Sequence, residues 1–112
     1  MSVRDANKID GMGIEEITNT LVFLIADPYG WNVQEYDHLK AMQTKINNYV
    51  GYIENKGYQS MYPGKSFDHF RIEVSLKYPP TKAGTSFFEA GKKQLEERNI
   101  DFIYTVIDSK KE

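Results

Sequence analysis

The side chains in this sequence that could do chemistry gather between Asp27 and Tyr49. Asp27 closes an apolar run, and Trp31, Asp37 and His38 follow it closely. Imidazole titrates nearer neutrality than any other side chain, so Asp27, Asp37 and His38 could supply an acid–base pair, with Trp31 as a stacking wall. The same residues have a plainer use. An Asp before Pro28 bonds the turn backbone, a sole tryptophan plugs a core or its rim, and a histidine on a helix flank bonds a nearby carbonyl. The plainer use is favoured, because a lone histidine without a bound partner is a weak catalytic signal. No catalytic residue is assigned, and the chain is not expected to be an enzyme.

Other chemistries find less support. His38 and His69 are the only histidines, they belong to different elements, and no His-x-x-x-His spacing exists, so no metal site is expected. Cysteine is absent, which removes thiolate ligands, a cysteine nucleophile and a disulfide framework. Gly11-x-Gly13 lacks the third glycine and the following helix of a dinucleotide fingerprint. Gly64-Lys65-Ser66 has the ending of a phosphate-binding loop without its upstream glycine, and no serine sits in a nucleophile elbow. No cofactor is expected.

These residues are positioned by elements whose periodicity is legible. Leu39, Met42, Ile46, Tyr49, Val50 and Ile53 form one stripe of a helix running from Gln34 or Glu35 to about Asn55, with Asn32 a candidate cap and Gly57 a candidate stop. At roughly 100° per residue, His38, Lys45, Tyr49 and Tyr52 fall along one flank of that stripe. Gln43, Asn47 and Glu54 fall along the other. Groups so placed either satisfy backbone or line a groove beside the helix.

Before the helix come two strands. A weak one spans about 8–14, and after a turn at Asn19 an all-apolar one spans 21–26, patterned as a central strand buried on both faces and ended by Asp27-Pro28-Tyr29-Gly30. After it, 57–66 reads as a loop, 68–78 as a strand with one wet face (Arg71, Glu73, Ser75, Lys77), 84–98 as a second helix and 100–107 as a last strand, with Asn99 turning the chain. The expected fold is a single α+β domain over 1–112. It is a two-layer sandwich in the order β-β-α-β-α-β, with a four-stranded, mostly antiparallel sheet and both helices on one face. The third strand, second helix and fourth strand form a crossover unit and should be parallel with right-handed connection if they share a sheet. The back of the sheet looks apolar on the second and fourth strands, and a second copy of the chain is the simplest cover.

One run of residues carries a resemblance. Ile9-Asp10-Gly11-Met12-Gly13-Ile14 is followed by an apolar strand ending in Asp27, then Trp31, His38-Leu39, Gln43, Lys45-Ile46-Asn47 and Tyr49. In this order they resemble a family of small bacterial proteins catalogued as a domain of unknown function. The similarity continues more weakly through Tyr62-Pro63 and the third strand, and departs at Pro28 and Met42. The resemblance implies a bacterial source and this fold, and no activity.

Charge and hydropathy complete the reading. Lys+Arg number 14 against 16 Asp+Glu, a formal net of -2, and Lys92-Lys93 and Lys110-Lys111 are isolated pairs, so no basic stripe for nucleic acid is present. No apolar run is long enough for a signal peptide or a membrane span, so a cytoplasmic protein is expected. The function expected first is a non-catalytic binding or interaction module, regulatory or immunity-like. Its recognition residues would come from Asp27, Trp31, His38, Gln43, Lys45, Asn47, Tyr49, Tyr58 and Tyr62, and truncating Tyr58 and Tyr62 should weaken partner binding and spare folding. The alternative is a small-molecule-binding protein or small enzyme with a pocket near Trp31, His38 and Lys45.

Overall fold

A computed structural model of the chain describes residues 3–107; the Lys110-Lys111 pair lies outside them. The elements are β1 (Gly11–Glu15), β2 (Thr20–Asp27), α1 (Glu35–Glu54), β3 (His69–Leu76), α2 (Lys82–Glu96) and β4 (Ile100–Val106). A single 3-10 turn, Gly57–Ser60, falls within the segment read as loop. The α+β layout and element order hold.

The sheet runs β1-β2-β3-β4 and is mixed rather than mostly antiparallel. Only β1 and β2 pair antiparallel; β2–β3 and β3–β4 are parallel. The reason lies in the connections. A tight turn joins β1 to β2, with Asn19 left-handed at φ 54. A whole helix joins each later pair, and a crossover of that length returns the next strand in the same direction.

Phe23, Ile72 and Phe102 lie in register across the sheet. The Phe23 ring meets Tyr49 and Tyr52 of α1, and Phe102 meets Phe88 of α2. Both helices therefore cover one face. With Leu21, Ile25, Met42, Val74, Leu76 and Ile100 these residues form the core. Among the described residues, no helix covers the other face. Val22, Leu24 and Ala26 are half-buried there, which corrects the expectation of a strand buried on both faces. The face is also mixed in character, because β3 and β4 contribute Arg71, Glu73, Ser75, Asp101 and Thr105 beside Ile103. Arg71 is bonded to Glu15 at 3.0 Å and Glu73 at 3.4 Å.

Helix ends differ from the expected ones. Asn32 does not cap α1. Gln34 holds that position in a left-handed conformation (φ 57) with no side-chain cap bond. The helix stops where Lys56 turns left-handed at φ 58. Gly57 is needed for another reason: a Cβ there would sit 2.6 Å from the Tyr52 ring. The second helix begins earlier than its apolar pattern, because Thr81 caps it by accepting the Gly84 N–H at 3.1 Å.

The segment before β1 closes the edge that β1 leaves bare. β1 reaches only as far as Leu24, so Ala26 beyond it has no ladder partner on that side. Val3 donates its N–H to the Ala26 carbonyl at 2.8 Å, and the Ala26 N–H donates to the Asp10 carboxylate at 2.8 Å. Residues 8–10 thus act through the Asp10 side chain rather than as part of the first strand expected over 8–14.

Candidate functional site

Two buried polar clusters tie α1 to β2, and a cleft opens above one of them. The first cluster is Asp27, His38 and Trp31. Asp27 ends β2 with its side chain fully buried, and His38 in the first turns of α1 is 1% exposed. His38 Nε2 lies 2.6 Å from Asp27 Oδ2, and Nδ1 lies 3.0 Å from the Gly30 carbonyl. Both ring nitrogens thus face oxygen atoms of the protein. The other Asp27 oxygen accepts the Tyr29 N–H at 3.1 Å. Trp31 stacks on His38 with ring centroids 3.7 Å apart, and its edge abuts Gly84 at the start of α2, where a Cβ would meet the indole at 3.1 Å. The buried indole Nε1 has no hydrogen-bond partner among the described residues.

The second cluster is Asp10, Lys45 and Tyr49. The Lys45 ammonium is fully buried and donates to Asp10 Oδ1 and to the Asp5 carbonyl, both at 2.8 Å. Tyr49 donates its hydroxyl proton to the Leu24 carbonyl at 2.8 Å and accepts the Asp10 N–H at 2.9 Å. Burial, together with the Asp10 charge, pushes the Tyr49 phenol up to about 12 against the opposing effect of that N–H. The cluster's work is to satisfy the β2 edge and the N-terminal segment.

Above the first cluster lies a cleft of about 550 Å³, lined by Tyr29 to Gln34 from the β2–α1 loop, Tyr78 and Pro79 from the β3–α2 loop, and Arg4. Both loops leave the carboxyl ends of adjacent parallel strands, the place where open α/β sheets bind ligands. The Arg4 guanidinium sits 4.5 Å above the Tyr29 ring. Val33 and Tyr78 are exposed at the cleft, and Tyr36 is exposed on the adjoining helical turn.

The nine residues singled out by sequence therefore separate. Asp27, Trp31 and His38 come together; Lys45 and Tyr49 form the neighbouring buried cluster. Gln43 and Asn47 lie on the other flank, exposed in a shallow groove with Phe87, Ala90 and Gln94 of α2. Tyr58 and Tyr62 are elsewhere, in an aromatic cluster with Phe67 and Phe70. Tyr58 is 6% exposed, so its truncation opens the core, contrary to the expectation that folding would be spared. His38 and His69 stand at opposite ends of the sheet, because His69 pairs with Thr20 at the start of β2. Among the described residues, no three His, Asp or Glu side chains gather as a metal-binding group. No helix among them is long and apolar enough to cross a membrane.

Sequence reasoning missed Asp10, Arg4, Tyr29 and Tyr78. Asp10 carried a signal, since it lies in the recognised run Ile9 to Ile14. The cleft residues carried none, because loops distant in sequence supply them.

No curated protein and no solved structure matches the chain. A family model matches residues 1–108, and the chain belongs to that family, a family of unknown function (DUF6572).

Proposed function

We propose that the protein is a non-catalytic binding module that holds a protein partner at the cleft between the β2–α1 and β3–α2 loops. The observation that carries this reading is the composition of that cleft and its margin: Tyr29, Tyr78 and Arg4 at the carboxyl ends of two parallel strands, with Val33 and Tyr36 exposed beside them. Tyrosine, tryptophan and arginine are the side chains that most often anchor protein interfaces. The acid–base groups beneath are committed to structure: both His38 nitrogens face oxygens of the protein, and Lys45 is fully buried against Asp10. That supports binding over catalysis. A cysteine-free chain fits a reducing bacterial cytoplasm, and a regulatory or immunity role suits a module of this size.

The test is affinity capture from native lysate with wild-type protein and with Tyr78→Ala, whose side chain is exposed. A stoichiometric partner held by the wild type and lost in Tyr78→Ala supports the reading. A partner held equally by both, or none, overturns it.

A second reading, a small-molecule site, is favoured by the cleft volume alone, which lies in the range of metabolite pockets. Trp31 is the only tryptophan and lines the cleft, so its emission reports occupancy. A saturable change with a metabolite, lost in Tyr78→Ala, would favour it.

A further inference from the structure

The two edges of the sheet are treated differently. On the β1 side the edge strand is five residues long, contains Gly11 and Gly13, and is extended by Val3 and Asp10, which bond Ala26. On the other side β4 is seven residues long and pairs, among the described residues, only with β3. Its sequence Ile-Asp-Phe-Ile-Tyr-Thr-Val holds no proline, lysine or glycine, and so none of the usual devices that blunt an exposed edge apart from Asp101. Ile103, Val106 and the following Ile107 are all exposed.

The direction of the free backbone groups follows from the ladder. Ile107 donates its N–H to the Leu76 carbonyl at 2.7 Å, and Leu76 stands in register with Val106. In a parallel pair alternate residues turn both backbone groups to the same neighbour, so the odd-numbered residues of β4 face β3. Ile100, Phe102, Tyr104 and Val106 then direct their N–H and C=O groups outward.

We infer that β4 pairs antiparallel with β4 of a second copy of this chain, about a two-fold axis at Ile103, so that two sheets join into one continuous eight-stranded sheet. Residue 103 is the midpoint of the strand, so this register overlaps the whole of it. It sets Ile100 opposite Val106 and Phe102 opposite Tyr104, all with outward backbone groups, making about eight N–H···O bonds as hydrogen-bonded pairs of an antiparallel ladder. Phe102 and Tyr104 become cross-strand aromatic neighbours on the helix-covered face. On the open face Ile103 meets its own counterpart, and Asp101 faces Thr105, so no like charges oppose. A second copy supplies apolar opposite apolar, aromatic opposite aromatic and no like charges along the whole strand, which is why it is the occupant. The inference is independent of the cleft.

Ile103 is 41% exposed and Val106 42% exposed, so both can be changed without opening the core. The Val106 N–H points away from β3, so proline there removes an outward donor and spares the ladder. Sedimentation equilibrium over a concentration series should give wild-type protein the mass of two chains. Ile103→Lys and Val106→Pro, each shown to be folded by circular dichroism, should give the mass of one. A mixture of Ile103→Lys with Ile103→Glu should recover the two-chain mass, because the residue at the axis faces itself. A wild type of single-chain mass at every concentration overturns the inference. So does a two-chain mass that survives both variants, or one dissolved by Leu24→Lys and not by Val106→Pro, which would place the contact on the open face. Variants that stay single in the mixture overturn the axis at Ile103.

Discussion

Trp31 lies flat on His38, ring planes 15° apart, while the histidine's two nitrogens face Asp27 and the Gly30 carbonyl. The imidazole is thus held on one face and at both of its polar atoms. It works as a rivet that fastens the β2–α1 loop to the start of α1, and the cleft is built on the loop so fastened.

Replacing His38 with alanine leaves the buried Asp27 carboxyl without its imidazole partner, with only the Tyr29 N–H remaining on its other oxygen. The expected loss is about 3–5 kcal/mol of unfolding free energy, the usual consequence of removing one partner of a buried pair. Urea denaturation measures it. Asp27→Asn combined with His38→Ala should lose less than the sum of the two single changes, since the charge left stranded by either one is gone. Additive losses would show that the pair does not act as a unit.

Lys45→Met keeps most of the side-chain volume and removes the ammonium from Asp10 and from the Asp5 carbonyl. A loss of about 3–5 kcal/mol is expected for the same reason. Hydrogen exchange should also speed at the Ala26 amide, whose acceptor is Asp10. Exchange unchanged at Ala26 would show that Asp10 holds the edge without Lys45.

Tyr49 makes stability fall at high pH. Its phenol is pushed from 10.0 up to about 12 in the folded protein, so the folded state keeps a proton that the unfolded chain has released. The contribution is complete below pH 10 and is lost as pH rises through about 12, amounting to at most about 3 kcal/mol. Tyr49→Phe should be less stable by about 1–2 kcal/mol near neutrality, because the Leu24 carbonyl and Asp10 N–H lose a partner. It should also flatten the decline between pH 10 and 12. Denaturation of both proteins at pH 8 and pH 11 tests this. Parallel declines would remove Tyr49 as the cause.

The two tyrosines after α1 should behave unequally. Tyr58 is buried among Phe67 and Phe70, and its truncation to alanine should lower stability by about 3–5 kcal/mol, as for other large-to-small changes in a core. Tyr62 is only half-buried against Phe67, so Tyr62→Ala should cost clearly less. Equal midpoint shifts would contradict the packing.

The local elements were readable in the sequence because their signals are local. The stripe from Leu39 to Ile53 is a 3.6-residue period, the alternation from Phe70 to Leu76 is a two-residue period, and Asn19 tolerates the left-handed turn that joins β1 to β2. The helix wheel also put His38, Lys45 and Tyr49 on one flank, where they are found. What each flank does could not be read there. His38, Lys45 and Tyr49 are buried because a sheet edge and the N-terminal segment lie against them, whereas Gln43 and Asn47 look out beside α2. The direction of the strands, the partner of Lys45 and the two loops that wall the cleft all depend on which distant segments meet. Residue pattern determined that this chain is a layered α+β domain with a polar-flanked helix. Tertiary structure alone decided that one flank is sealed by bonds to Asp10 and Asp27, and that one sheet edge is closed while β4, among the described residues, pairs only with β3. Burial of a polar group is a property of its neighbours in space, and those neighbours lie 11 residues away for His38 and 35 for Lys45.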